Sequence, residues 1–165
     1  MPFVSATRLK VKSIFNLIPF MLANEASVKQ LKKTPGFLSG KELVDKGLTF
    51  WTLTIWEDQA KMKAFRNSVA HRKAMQKLPV WCSEASYFHW TQEQEILPEW
   101  TIASLKLIQE GKITKVRKPS SRQITNSFPP IKWRKLERNF KPITQHGGSG
   151  KLLRESRNKA RNYND

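Results

Sequence analysis

From Leu48 to Trp56 large side chains alternate without a break: Leu48, Phe50, Thr52, Thr54 and Trp56 project one way, Thr49, Trp51, Leu53 and Ile55 the other. Both sides carry bulky apolar groups, so the pattern predicts a central strand covered on each face. Asp45-Lys46-Gly47 before it has the chemistry of a tight antiparallel turn, since glycine takes φ > 0 without a Cβ penalty. After Glu57-Asp58 the period changes. Met62, Phe65 and Val69 recur at helical spacing, and Asp58 is placed to cap the free N–H groups of a helix over Asp58–Arg66. Ser68 is placed to cap a second short helix through Lys77, with Pro79 as its stop. Ser83 to Trp90 alternates again, with Ala85, Tyr87 and His89 opposed to Glu84, Ser86, Phe88 and Trp90.

Upstream, Pro2 to Lys12 alternates as a first strand whose second side turns basic at Arg8, Lys10 and Lys12. Leu17, Phe20/Met21, Val28 and Leu31 form one helical stripe, interrupted only by Asn24, and Thr34-Pro35-Gly36 ends it. Phe37 to Val44 reads as a second strand whose glycine suggests a bulge or close backbone approach. The resulting order, β-α-β-β-α-β, is the ferredoxin-like arrangement of an α+β domain. Helices on one face of such a sheet leave the other needing a cover, for which the expected candidate is a second subunit. Pro98 to Gly111 predicts an additional helix. Residues 1–111 therefore read as one domain and 112–165 as a partly flexible extension. Within the extension, Ile131–Pro142 could dock or form a short helix, and His146–Gly150 reads as a spacer.

Charge sharpens that boundary. The chain carries 30 basic and 13 acidic residues, a net of +17. Residues 1–111 contribute +5 and residues 112–165 contribute +12. A single cysteine, Cys82, excludes an intrachain disulfide framework, and no apolar run approaches membrane-spanning length, so insertion is not expected and a cytoplasmic location is. His71, His89 and His146 have no metal-ligand spacing, and Gly147-Gly148-Ser149-Gly150 lacks the lysine of a phosphate loop. Metal binding is not predicted.

Thr54-Ile55-Trp56-Glu57, Met62 and Phe65, the run Ser68 to Met75 and the run Leu78 to Ala85 together resemble uncharacterised bacterial proteins of the dimeric α/β-barrel superfamily, which includes antibiotic-biosynthesis monooxygenases. The resemblance covers about residues 1–95. It implies a homodimer whose sheets enclose a barrel, and in each subunit a pocket between sheet and helices for a small apolar ligand or haem. Expected ligand-binding residues are Trp51, Trp56, Phe65, His71, Met75, Trp81 and Tyr87. Some relatives bind haem iron through a corresponding histidine, which makes His71 a candidate ligand. Others act without a cofactor and need a polar group to stabilise an enolate, a role open to Asn67, His71 or Tyr87.

His71 has a plainer reading as a helix-terminal histidine that hydrogen bonds locally. Placed in a first helical turn, it is kept neutral by the helix dipole, which suits a ligand or a base equally. Trp56 reads as a packing ring or a substrate contact, and Cys82 as a buried structural thiol. The extension supports a reading of another class, a non-enzymatic interaction protein. Lys132, Arg134, Lys135, Arg138 and Lys141, interleaved with Trp133 and Phe140, could bind nucleic acid or an acidic partner; a solvated appendage or one that meets anionic lipid is an equally plain account.

Overall fold

The computed structural model describes residues 1–143 and has the order expected of the sequence through residue 91. Strand β1 (Phe3–Val11) is followed by helix α1 (Ile14–Leu31), β2 (Phe37–Asp45), β3 (Thr49–Trp56), α2 (Gln59–Arg66), α3 (Val69–Trp81) and β4 (Cys82–Thr91). These strands pair antiparallel as β4-β1-β3-β2, the ferredoxin-like order, with β1 and β3 at the centre. The turn into β3 places Gly47 at φ 72 and Leu48 at φ 56. Gly40 lets the Phe140 ring approach: a Cβ there would lie 3.2 Å from that ring and 3.1 Å from the Leu53 carbonyl oxygen. Asp58 caps α2 by accepting from the Lys61 N–H at 2.9 Å.

Period-two alternation gives the sheet two different faces. Phe3, Phe50 and Trp56 turn toward α1, α2 and α3, where they pack with Phe20, Val28, Leu31, Met62, Phe65 and Leu78. Val4, Ala6, Leu43, Trp51, Leu53 and Ile55 turn the other way and are fully buried. A second subunit was the expected cover for this face. The chain supplies the cover itself: α4 (Trp100–Glu110) lays Trp100, Ala103 and Leu107 across it. Two copies need not meet here for these residues to leave water.

The segment after residue 111 is also more integrated than its composition suggests. A short strand β5 (Lys112–Ile113) pairs with β4. A one-turn helix α5 (Ser121–Thr125) follows, and β6 (Lys135–Phe140) pairs antiparallel with β2. The full sheet runs β5-β4-β1-β3-β2-β6, so the extension closes both edges of the ferredoxin-like core. Ile131–Pro142 therefore docks as a strand rather than a helix. Helix α3 runs two residues past Pro79, which sits in its last turn, where it costs one hydrogen bond, and the Pro79 carbonyl accepts from the Arg117 N–H at 2.9 Å. The predicted spacer His146–Gly150 lies outside the described residues.

Candidate functional site

Between the helices and the sheet, aromatic side chains collect at the end where β1 begins and β3 ends. The Trp56 ring lies 5.4 Å from both Phe37 and Phe65, and Phe65 lies 4.6 Å from His71 on α3. On the adjoining strands Phe3 is 5.4 Å from His89, which is 5.0 Å from Tyr87. Tyr87 and His89 are two apart on β4 and so share its helix-facing side. Both histidines are half-buried and both lie within the field of Arg66. Burial, then the Arg66 charge, lowers His71 to about 4; burial, Arg66 and Lys112 do the same to His89. Each imidazole is neutral at pH 7, with one ring nitrogen free to accept a proton.

Polar groups line the sheet beyond this cluster. Ser5, Thr7 and Thr52 occupy the central strands on the helix side, yet are only half-buried. Opposite them, Ser27 of α1 has its hydroxyl buried with no hydrogen-bond partner, and Asn24 donates to Glu42 at 3.2 Å. Thr54 accepts from the Trp56 indole N–H at 3.0 Å. Apolar packing resumes farther on, where Phe20 lies 4.7 Å from Phe50 and 6.5 Å from Trp81.

The expected ligand-binding set thus divides. Trp56, Phe65, His71 and Tyr87 gather around one site. Trp81 belongs to the opposite end of the same face. Trp51 does not line this space at all: it lies five positions from Trp56 on one strand, and an odd separation puts it on the face covered by α4. Asn67 is exposed beyond the end of α2, and Met75 is 37% exposed on α3. Sequence reasoning missed His89 as a member of the site, although its two-residue spacing from Tyr87 carried the signal. Burial pushes the Cys82 thiol up to about 12, against a small opposing effect of Lys12, so its thiolate is scarce at neutral pH. Among the described residues no group of three or more metal-ligating side chains occurs.

The expected basic surface is broken up by ion pairs. Arg134 forks onto Glu137 at 3.1 Å, and Arg138 binds Glu25 and, at 2.5 Å, Glu42. Phe140 is 1% exposed, so its ring cannot stack on a nucleobase. Lys132, Lys135 and Lys141 remain exposed, as does Trp133, whose ring lies 5.7 Å from the Lys46 ammonium.

The family description "Antibiotic biosynthesis monooxygenase" matches residues 20–77, from α1 into α3. No curated protein matches the chain. Among solved structures, Rv0793 from Mycobacterium tuberculosis has a TM-score of 0.52 at 8% identity, covering 57% of this chain and 97% of that one. A conserved protein from Methanosarcina mazei Go1 gives 0.51 at 11% identity, covering 56% and 94%. A putative antibiotic biosynthesis monooxygenase from Nitrosomonas europaea gives 0.50 at 14% identity, covering 55% and 89%. These neighbours are covered almost completely by little more than half of this chain, which sets α4 and the sheet-edge strands β5 and β6 apart as additions to a shared ferredoxin-like fold. The core of the chain thus shares the ferredoxin-like fold of these neighbours, and its residues 20–77 are similar to the antibiotic biosynthesis monooxygenase family.

Proposed function

We propose that this protein binds a small, largely apolar, enolisable or phenolic molecule between its helices and sheet, and oxidises it with dioxygen as a monooxygenase-like enzyme. The observation that carries this reading is the pair of neutral imidazoles, His71 and His89, among Phe3, Trp56, Phe65 and Tyr87. Aromatic walls favour a planar apolar ligand, and a neutral imidazole accepts the proton whose loss creates an electron-rich enolate. The other imidazole or the Tyr87 hydroxyl then donates to the developing oxyanion. The substrate itself reduces dioxygen. With an anthrone-type ketone, the methylene carbon loses two hydrogens and gains one oxygen atom, while the second oxygen leaves as water.

Haem fits these residues poorly. One face of the His71 ring is taken by Phe65 at 4.6 Å. No step is assigned to it. The test is oxygen uptake with anthrone as probe, run on the wild type, His71→Ala and His89→Phe beside a haem titration. Uptake that falls roughly 100-fold or more in either variant, with no Soret shift in the wild type, supports the reading. Equal uptake in all three proteins would overturn it.

A further inference from the structure

The outer surface of α1 is apolar where a surface helix is ordinarily polar. Ile14, Phe15, Ile18 and Leu22 are 69%, 89%, 70% and 69% exposed. At 3.6 residues per turn Ile14, Ile18 and Leu22 fall within an arc of about 80°, with Phe15 just beside it, so they form one ridge pointing away from the sheet. A contiguous apolar ridge of this kind marks an interaction surface. Beside it, α1 and α3 bound an open groove of about 450 Å³ lined by Ala23, Ala26, Val69, Lys73 and their neighbours, and Val69 is 59% exposed.

Basic residues frame the ridge. Lys12 lies two residues before α1, Lys29 lies on the same arc beyond Leu22, Lys33 follows the helix, and Lys73 faces α1 across the groove. Among the described residues none of these four has an ion-pair partner. Glu25, the acid on that arc, is held by Arg138. Two copies meeting ridge to ridge about a two-fold axis would bring this cationic frame against itself. An anionic layer with an apolar interior complements both parts at once: lysines meet the headgroups while Phe15, Ile18 and Leu22 enter the boundary below them.

We propose that the α1 ridge docks this protein on anionic lipid membranes, with the helix lying in the surface plane. No helix among the described residues is long and apolar enough to cross a membrane, so the attachment is peripheral.

The experiment is co-sedimentation of the full chain with vesicles of phosphatidylcholine and phosphatidylserine in equal parts, and with phosphatidylcholine alone. Two variants accompany it, Phe15→Ser/Ile18→Ser and Lys29→Glu/Lys33→Glu/Lys73→Glu; all five positions are exposed, and circular dichroism checks that both variants fold. The wild type is expected to sediment with the mixed vesicles only, and each variant to bind at least roughly tenfold more weakly. Failure of the wild type to bind mixed vesicles overturns the proposal. So does unchanged binding by the Phe15/Ile18 variant, which would mean that charge alone acts. A wild-type dimer in gel filtration that dissociates in that variant, without vesicle binding, would assign the ridge to a second copy instead.

Discussion

Arg8 of β1 and Glu84 of β4 form an ion pair of 2.6 Å on the sheet face turned away from α1, α2 and α3, with side chains 3% and 1% exposed. The segment after β5 completes their surroundings: Ser120 donates to Glu84 at 2.8 Å, and the Phe128 ring lies 4.5 Å from the Arg8 guanidinium. Burial pulls the Arg8 pKa below its ordinary value, against the opposing effect of Glu84. A buried pair is costly to break from one side because the remaining charge stays desolvated. Glu84→Gln is expected to lower unfolding free energy by about 3–5 kcal/mol. The volume-matched double substitution Arg8→Met/Glu84→Leu should cost much less, and urea titrations of the two variants would show whether it does.

Neutral buried histidines give stability a pH dependence of known sign. His71 and His89 sit at about 4 in the fold, against roughly 6.5 in an unfolded chain. Between those values the unfolded state binds more protons, so stability rises with pH. Their contribution is complete above about pH 6.5 and is lost as pH falls toward 4. Half-exposure and the shared Arg66 charge hold it to on the order of 1–3 kcal/mol per histidine. Urea midpoints from pH 4 to 7 should slope upward in the wild type and flatten in His71→Phe/His89→Phe. Parallel curves would rule out this account.

Helix α4 covers the second sheet face from within the chain, and Trp100 is its largest buried side chain. It is 3% exposed, lies 5.1 Å under the Lys41 ammonium, and donates its indole N–H to Glu137 at 2.8 Å. Trp100→Ala should cost about 3–5 kcal/mol. It should also uncover Val4, Leu43 and Leu53, raising binding of an apolar dye and promoting self-association in gel filtration. A variant that loses stability but stays monomeric and dye-free would mean that the remaining α4 contacts keep the face closed.

The core was legible because its signals are local. Strand alternation at Leu48–Trp56, the Asp58 cap and the Asp45-Lys46-Gly47 turn depend on a few neighbouring residues, and each is realised. The site was legible in part for the same reason: Trp56, Phe65 and His71 occur within sixteen positions, on elements whose facing could be read from period. Assigning Trp51 to the site failed because it set aside the alternation that had already placed Trp51 and Trp56 on opposite faces. Residues 112–143 were opaque because their order depends on distant partners. β6 lacks strand alternation and half of its residues are charged, and it forms because β2 offers a free edge. The Lys132 and Trp133 N–H groups likewise bond to Asp45, nearly ninety positions away, at 3.1 and 2.7 Å. Composition shows that such a segment is basic; it does not show which carboxylates await it.

Arg138 tests that last point most directly. It reads as one cation of a polyanion-binding run, yet it joins Glu25 of α1 to Glu42 of β2 and so fastens β6 to the core. Glu42 is 9% exposed, and without Arg138 its described side-chain bonds reduce to those from Asn24. Arg138→Ala should therefore destabilise the protein by about 1–2 kcal/mol, discounted from a fully buried pair because the arginine side chain is 40% exposed. Hydrogen exchange discriminates between the two roles. If Arg138 fastens the edge, amides of Lys135–Phe140 and their β2 partners exchange faster in the variant while those of β1 and β3 keep their protection. If it serves only as a surface cation, exchange is unchanged everywhere and the ion pairs with Glu25 and Glu42 contribute nothing to holding the strand.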